Sequence, residues 1–260
     1  MPWWLRAAIA GARVQTSRAR GPIFLLATVV TPVVYTVVFL LMARSFGRAE
    51  ALAAYVVIGP ALMSISYSAL ATGGVIIGEE RGGGTLELLV AAPAPVALAI
   101  LGRVGANTVL SLLAIPLTLG TAQLLGVNLV VTDAPLAGIG IIALGISTMA
   151  VTLLFTSALV FARSAGIIQN LVFFPIWILS GVAFPLAVLP EWTRPLSYLL
   201  PLTYLAEMIR SATRGADESS LALDGVALVG LTILYAVVGY WLFATAIRSI
   251  RANGKITLAQ

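Results

Sequence analysis

Residues 134–162 read APLAGIGIIALGISTMAVTLLFTSALVFA, an uncharged run held between Asp133 and Arg163. About 20 consecutive apolar residues carry an α-helix across a bilayer. In hydrocarbon every backbone N–H and C=O must be met inside the structure, and a helix meets its own. The stretch therefore predicts a membrane-spanning helix. Working outward, the chain repeats the pattern: 21–43, 51–78, 104–132, 164–190 and 225–247 are also free of Asp, Glu, Lys and Arg. Uninterrupted runs of this length suit helices far better than the short alternating strands of an outer-membrane barrel.

Composition agrees. The 260 residues are 60% hydrophobic and 10% charged, against roughly 45–50% and 25% in soluble proteins. Such a chain cannot cover a water-facing surface. It has no His and no Cys, which excludes disulfides, Cys nucleophiles, Ser-His-Asp arrangements and the commonest zinc, haem and iron–sulfur ligation. The one lysine, Lys255, follows Gly254 but precedes Ile256 and lacks the earlier glycine of a phosphate-binding loop. No bound cofactor is expected. The net charge of +5 is scattered between apolar blocks instead of forming a stripe, so lipid headgroups are the expected counter-charge and nucleic acid is not.

The fold expected is an all-α polytopic domain over 1–260, with spans at 22–43, 52–78, 104–127, 134–161, 165–187 and 222–247. The first run is preceded by a long basic segment and followed by five more, so it is read as a span and not as a cleaved signal. An even number of spans puts both termini on one side. That side holds ten basic residues, Arg6, Arg13, Arg18, Arg20, Arg81, Arg103, Arg163, Arg248, Arg251 and Lys255. The other holds five, Arg44, Arg48, Arg194, Arg210 and Arg214, with seven of the ten acids. The positive-inside rule then makes the termini cytoplasmic, in a cell inner or plasma membrane. Over 1–21, Arg6, Arg13 and Arg20 fall near one helical face while Trp4, Leu5, Ile9 and Ala12 offer apolar contacts. This predicts an interfacial helix ahead of Pro22.

Two polar features stand out. In the loop 79–95, Glu79-Glu80-Arg81 and a triple glycine lead to Thr85-Leu86-Glu87-Leu88-Leu89, with Pro93 and Pro95 beyond. Thr85 is placed to cap a short helix that the prolines stop. That helix could enter a groove on a cytosolic partner, or the loop could simply turn the chain with its charges in water. The second feature, 181–210, is an apolar segment interrupted at Pro185, Pro190, Pro195 and Pro201. A re-entrant hairpin accounts for it better than a solvated loop, because broken backbone at membrane depth is tolerated where protein covers it. Trp192 and Tyr198 fit an aromatic belt. Glu207 and Arg210, three apart, are expected to pair, and a surface pair would contribute only positioning. Within the spans Asn107, Gln123, Gln169 and Asn170 are polar and none is ionisable, which argues against ion coupling through a buried carboxylate. Asn170, Phe173, Phe174 and Trp177 could line a path for an amphipathic solute, or the aromatics could pack against lipid and neighbouring helices.

On Glu80-Arg81, Gly84-Thr85-Leu86-Glu87-Leu88-Leu89 and Pro93, and on the later Leu179-Ser180-Gly181, Phe184-Pro185, Leu189-Pro190, Trp192 and Pro201-Leu202-Thr203-Tyr204, the chain resembles the permease subunits of ABC-2 type exporters. It looks most similar to daunorubicin-resistance and nodulation-factor exporter permeases. The resemblance implies that 80–90 holds a coupling helix seated on an ATP-binding subunit and that 181–210 is an external re-entrant hairpin before the sixth span. It further implies two cytosolic ATP-binding subunits, which carry ATP and Mg, and a second copy or close homologue of this permease. The chain itself would not be an enzyme. An ion-coupled secondary transporter and a non-transporting membrane scaffold are the alternatives.

Overall fold

A computed structural model describes residues 3–18, 22–47, 52–82, 96–159, 165–214 and 218–253, and every regular element among them is helical. The main helices are α1 (Trp3–Arg18), α2 (Pro22–Ser45), α3 (Ala53–Gly82), α4 (Val96–Ser111), α5 (Ala114–Leu124), α6 (Ala134–Leu159) and α7 (Ala165–Leu179). Two 3₁₀ turns, Leu186–Val188 and Glu191–Thr193, then lead to α8 (Arg194–Ser197), α9 (Pro201–Arg214) and α10 (Glu218–Asn253).

Five helical stretches are long and apolar enough to cross a membrane: Thr28–Ser45, Ala53–Gly73, Leu98–Leu124, Ala134–Leu159 and Leu221–Arg248. The protein is a multi-pass membrane protein. The stretch expected as a span at 165–187 is helical only to Leu179, then turns at Gly181, where φ is +67°. The helix through 104–127 starts earlier, at Val96, so that Arg103 is buried within it. It also breaks between Ser111 and Ala114. Pro116 is the cause: it has no N–H for the carbonyl of Leu112, which instead accepts from the N–H of Ile115 at 3.0 Å.

Helix α3 is the hub. Along its apolar stretch Ala53–Gly73 78% of the residues are buried, against 6% along Leu221–Arg248 of α10, and it packs on α2, α4, α5, α6, α7 and α9. Leu62, Ile65 and Leu70 of α3 join Leu144 of α6, Phe173 and Trp177 of α7, and Leu202 and Leu205 of α9 in one core. Small residues let the backbones approach. A side chain at Gly73 would strike Thr152 and Thr156 of α6, and one at Gly239 of α10 would strike the backbone of Leu154. Lipid offers helices no hydrophobic reason to associate, so such contacts and the hydrogen bonds between spans hold the bundle. Ser157 Oγ donates to the carbonyl of Gly239 at 2.9 Å and Ser147 Oγ meets Thr232 Oγ1 at 2.8 Å, fixing α10 to α6.

Candidate functional site

Helix α1 does not lie free. It packs along α4 so closely that a Cβ at Gly11 would overlap the carbonyl of Ala99, and one at Gly102 would overlap the carbonyl of Ala8. At the end of this seam Gln15 Nε2 donates to Asn107 Oδ1 at 3.1 Å. The Asn107 amide in turn donates to the carbonyl and the hydroxyl of Ser68 on α3, at 2.8 and 2.9 Å. Asn107 has no exposed surface. One buried amide therefore ties the N-terminal helix to the hub through α4. Sequence reading noted Asn107 as polar but not this bridge. The legible signal was the matching register of small and polar residues, Ala8, Gly11 and Gln15 on α1 against Ala99, Gly102 and Asn107 on α4.

Helix α3 continues past the expected end of its span and carries the backbone of Glu79, Glu80 and Arg81 on its final turns. These charges extend a helix, where a loop was expected. Their side chains, and the whole of Thr85, Leu86, Glu87, Leu88 and Leu89, lie outside the described residues.

The segment after α7 folds back on the bundle. Pro185 and Pro190 precede the two 3₁₀ turns, and Thr193 Oγ1 donates to the carbonyl of Pro190 at 2.7 Å. Thr203 Oγ1 donates to the carbonyl of Ser197 at 2.6 Å, and Tyr204 Oη to that of Tyr198 at 3.1 Å, so the entry to α9 is tied to α8. Pro201, Leu202, Leu205 and Ala206 are buried, while Trp192 is 75% exposed. Tyr235 Oη, at the centre of α10, donates to the carbonyl of Leu199 at 3.1 Å. At the other end of α9, the N–H groups of Thr132 and Asp133 both donate to the carbonyl of Ala212 at 3.0 Å. Helix α9 thus runs from the middle of the bundle to the end where α6 begins.

Arg210 is not the surface residue expected. It is 3% exposed, and its Nη1 and Nη2 donate to the carbonyl of Gly181 at 2.9 and 3.0 Å. Its guanidinium lies 4.4 Å from the ring centroid of Tyr55 on α3, with Glu207 at 3.6 Å on the half-exposed side. The cation joins α9, α3 and the turn after α7, a fork of donors that lysine could not supply. Arg194 and Glu191, 3.8 Å apart and open to solvent, form a pair of little weight.

The four residues expected along a path divide. Phe173 and Trp177 are buried, stacked on each other at 6.0 Å, with Phe155 of α6 stacked on Phe173 at 6.1 Å and Tyr67 of α3 edge-on to it at 5.4 Å. Phe174 is 65% exposed, its ring edge-on to Trp177. Asn170 lies on α7 with its side chain outside the described residues. Among the described residues no group of three acidic, His or Cys side chains could hold a metal.

Comparison with known families matches residues 8–213 to one described as ABC-2 type transporter. No curated protein matches the chain.

Proposed function

The chain belongs to the ABC-2 type transporter family, and on that premise we propose that it is the membrane-spanning permease subunit of an ATP-driven exporter. Permease subunits of this kind are not catalytic. Here the work would come from two cytosolic ATP-binding subunits carrying ATP and Mg, paired with two permease chains, this one and a second copy or close homologue. The cargo would be an amphipathic or lipid-like molecule, a drug or a glycoconjugate, as in the daunorubicin-resistance and nodulation-factor systems its loop and hairpin resemble.

One observation carries the reading. Helix α3 runs unbroken from the buried centre of the bundle into Glu79-Glu80-Arg81, so the proposed coupling segment over 79–95 begins on the helix that touches most of the others. Thirty residues of α-helix make a rod of about 45 Å. Closure of the ATP-binding subunits would move its end, and the rod would carry that displacement into the core. With α7 as the sixth crossing, both termini are cytoplasmic. The descent of the Leu199 region to the middle of α10 supports an external re-entrant hairpin over 181–210. The exposed apolar faces of α2 and α7, with Val34, Val38, Phe174 and Ile178, supply a surface for the second permease.

The test is copurification of the full chain with an ATP-binding protein encoded beside it. The expected result is a stable complex whose ATPase activity responds to membrane-extracted amphiphiles, and which Leu86→Asp dissociates. A complex that ignores both the amphiphiles and the substitution would overturn the assignment.

A further inference from the structure

Helix α1 has two opposite faces. Ala8, Gly11 and Gln15 turn to α4, where they meet Gly102, Ala99 and Asn107. Arg6, Ala10, Arg13 and Ser17 share the other face, at the spacing of successive helical turns, and all four are exposed. Arg6 and Arg13 stand about 10 Å apart along the axis, with only the small Ala10 between them. Among the described residues neither guanidinium has a hydrogen bond or an ion pair. The sequence offers no acid nearby. No Asp or Glu occurs before Glu50 or between Glu87 and Asp133, so α1, α2, α4 and α5 carry none.

The depth of this face follows from α4. Ala99 and Gly102 lie in the first turns of the apolar stretch Leu98–Leu124, whose 27 residues measure about 40 Å as helix, about 10 Å more than the hydrocarbon core. The surplus falls at the start, because Arg103 lies there and the remainder of the stretch is uncharged. Helix α1 therefore stands beside α4 at the depth of the lipid headgroups. Exposed cations at that depth attract an anionic surface by about five-fold per arginine, and a guanidinium takes a phosphate through two parallel N–H bonds. Val14, 43% exposed beside Arg13, adds an apolar contact for the lipid body.

We propose that Arg6 and Arg13 form a binding site for the headgroups of anionic phospholipids. Each guanidinium holds a phosphate, and lipid seated there keeps α1 against α4, from which the bridge through Gln15, Asn107 and Ser68 reaches α3. The site needs only a chain that crosses a bilayer, so it stands or falls apart from the export reading.

The experiment uses the full chain in phosphatidylcholine nanodiscs, without any ATP-binding subunit. A phosphatidylglycerol carrying a diazirine close to its headgroup is photolysed there and its adducts are mapped by peptide mass spectrometry. Expected are adducts on Ala10 and Val14 that excess phosphatidylglycerol removes and excess phosphatidylcholine does not. Arg6→Gln and Arg13→Gln should each cut the yield about five-fold, and Ala10→Glu, which sets an acid between the two cations, should abolish it. All three lie on an exposed face and should keep the parent's thermal midpoint, and Arg194→Gln on the hairpin should change nothing. Equal labelling by a phosphatidylcholine probe, adducts displaced by inorganic phosphate alone, or a yield indifferent to the three substitutions would overturn the proposal. So would an absence of adducts on α1, which would leave its basic face to an acidic protein surface.

Discussion

Arg210 holds the carbonyl of Gly181 with both of its terminal nitrogens. Twenty-nine residues of chain separate the two, so the contact closes the whole segment after α7 into a loop pinned at its base. Removing the fork leaves a buried carbonyl without its charged donors, at a cost of about 1.5–3 kcal/mol. Arg210→Met should lower the thermal midpoint of the nanodisc-reconstituted chain accordingly, and Arg210→Lys should recover only part of it. A midpoint unchanged in Arg210→Met would show that the contact holds nothing.

Gly181 itself takes a left-handed conformation, and a Cβ there would stand 2.8 Å from Leu186 Cγ. Gly181→Ala combines a left-handed backbone penalty of about 1–2 kcal/mol with overpacking of about 1–3 kcal/mol. Gly126, with φ +85° but only the Arg44 guanidinium at 4.0 Å, isolates the first part. Denaturation of Gly181→Ala and Gly126→Ala side by side should show the former to be the larger loss. Equal losses would mean that Leu186 yields without cost.

The bridge from α1 to α3 can be weighed by a double-mutant cycle. Gln15→Leu and Asn107→Leu, singly and together, should show a coupling near the average of about 0.6 kcal/mol, and below the maximum of about 1.7 kcal/mol, for hydrogen bonds between membrane helices. Strict additivity in the unfolding free energies would deny the bond between them.

Close packing along the same seam makes a proteolytic prediction. Gly11→Val or Gly102→Val cannot fit against the carbonyls of Ala99 and Ala8, so α1 should lift from α4. Trypsin cleavage after Arg13, already exposed, should then speed up several-fold. Gly120→Ala and Gly138→Ala, which meet nothing within 4 Å, should leave it unchanged.

These residues also mark what the sequence disclosed. The uncharged runs announced five crossing helices because hydrocarbon leaves the backbone so little choice. Glu79, Glu80 and Arg81 were read as a loop because charge was equated with the end of a span, whereas a helix already propagating extends into water at little cost. Arg210 was read as half of a surface pair because Glu207 is the partner visible within one turn. Its main acceptor is created only when the chain reverses at Gly181, and no local pattern encodes a contact made at that distance. Asn107 was conspicuous as polar, but its partners come from two other helices and required the packing to be known.

The polarity of α9 also bears on biogenesis. A charged residue at the centre of a lone helix raises the free energy of insertion by about 2.5–3.5 kcal/mol, and α9 carries Glu207 and Arg210 within 14 residues. It cannot enter lipid as an independent unit. The groups that receive Arg210, Tyr55 and the turn at Gly181, precede it in synthesis, but the α10 surface against which it also packs follows. A nascent chain halted before residue 218 would therefore hold α9 in a socket with one wall missing, and seating of residues 181–214 becomes a late step, completed only after α10 has left the ribosome.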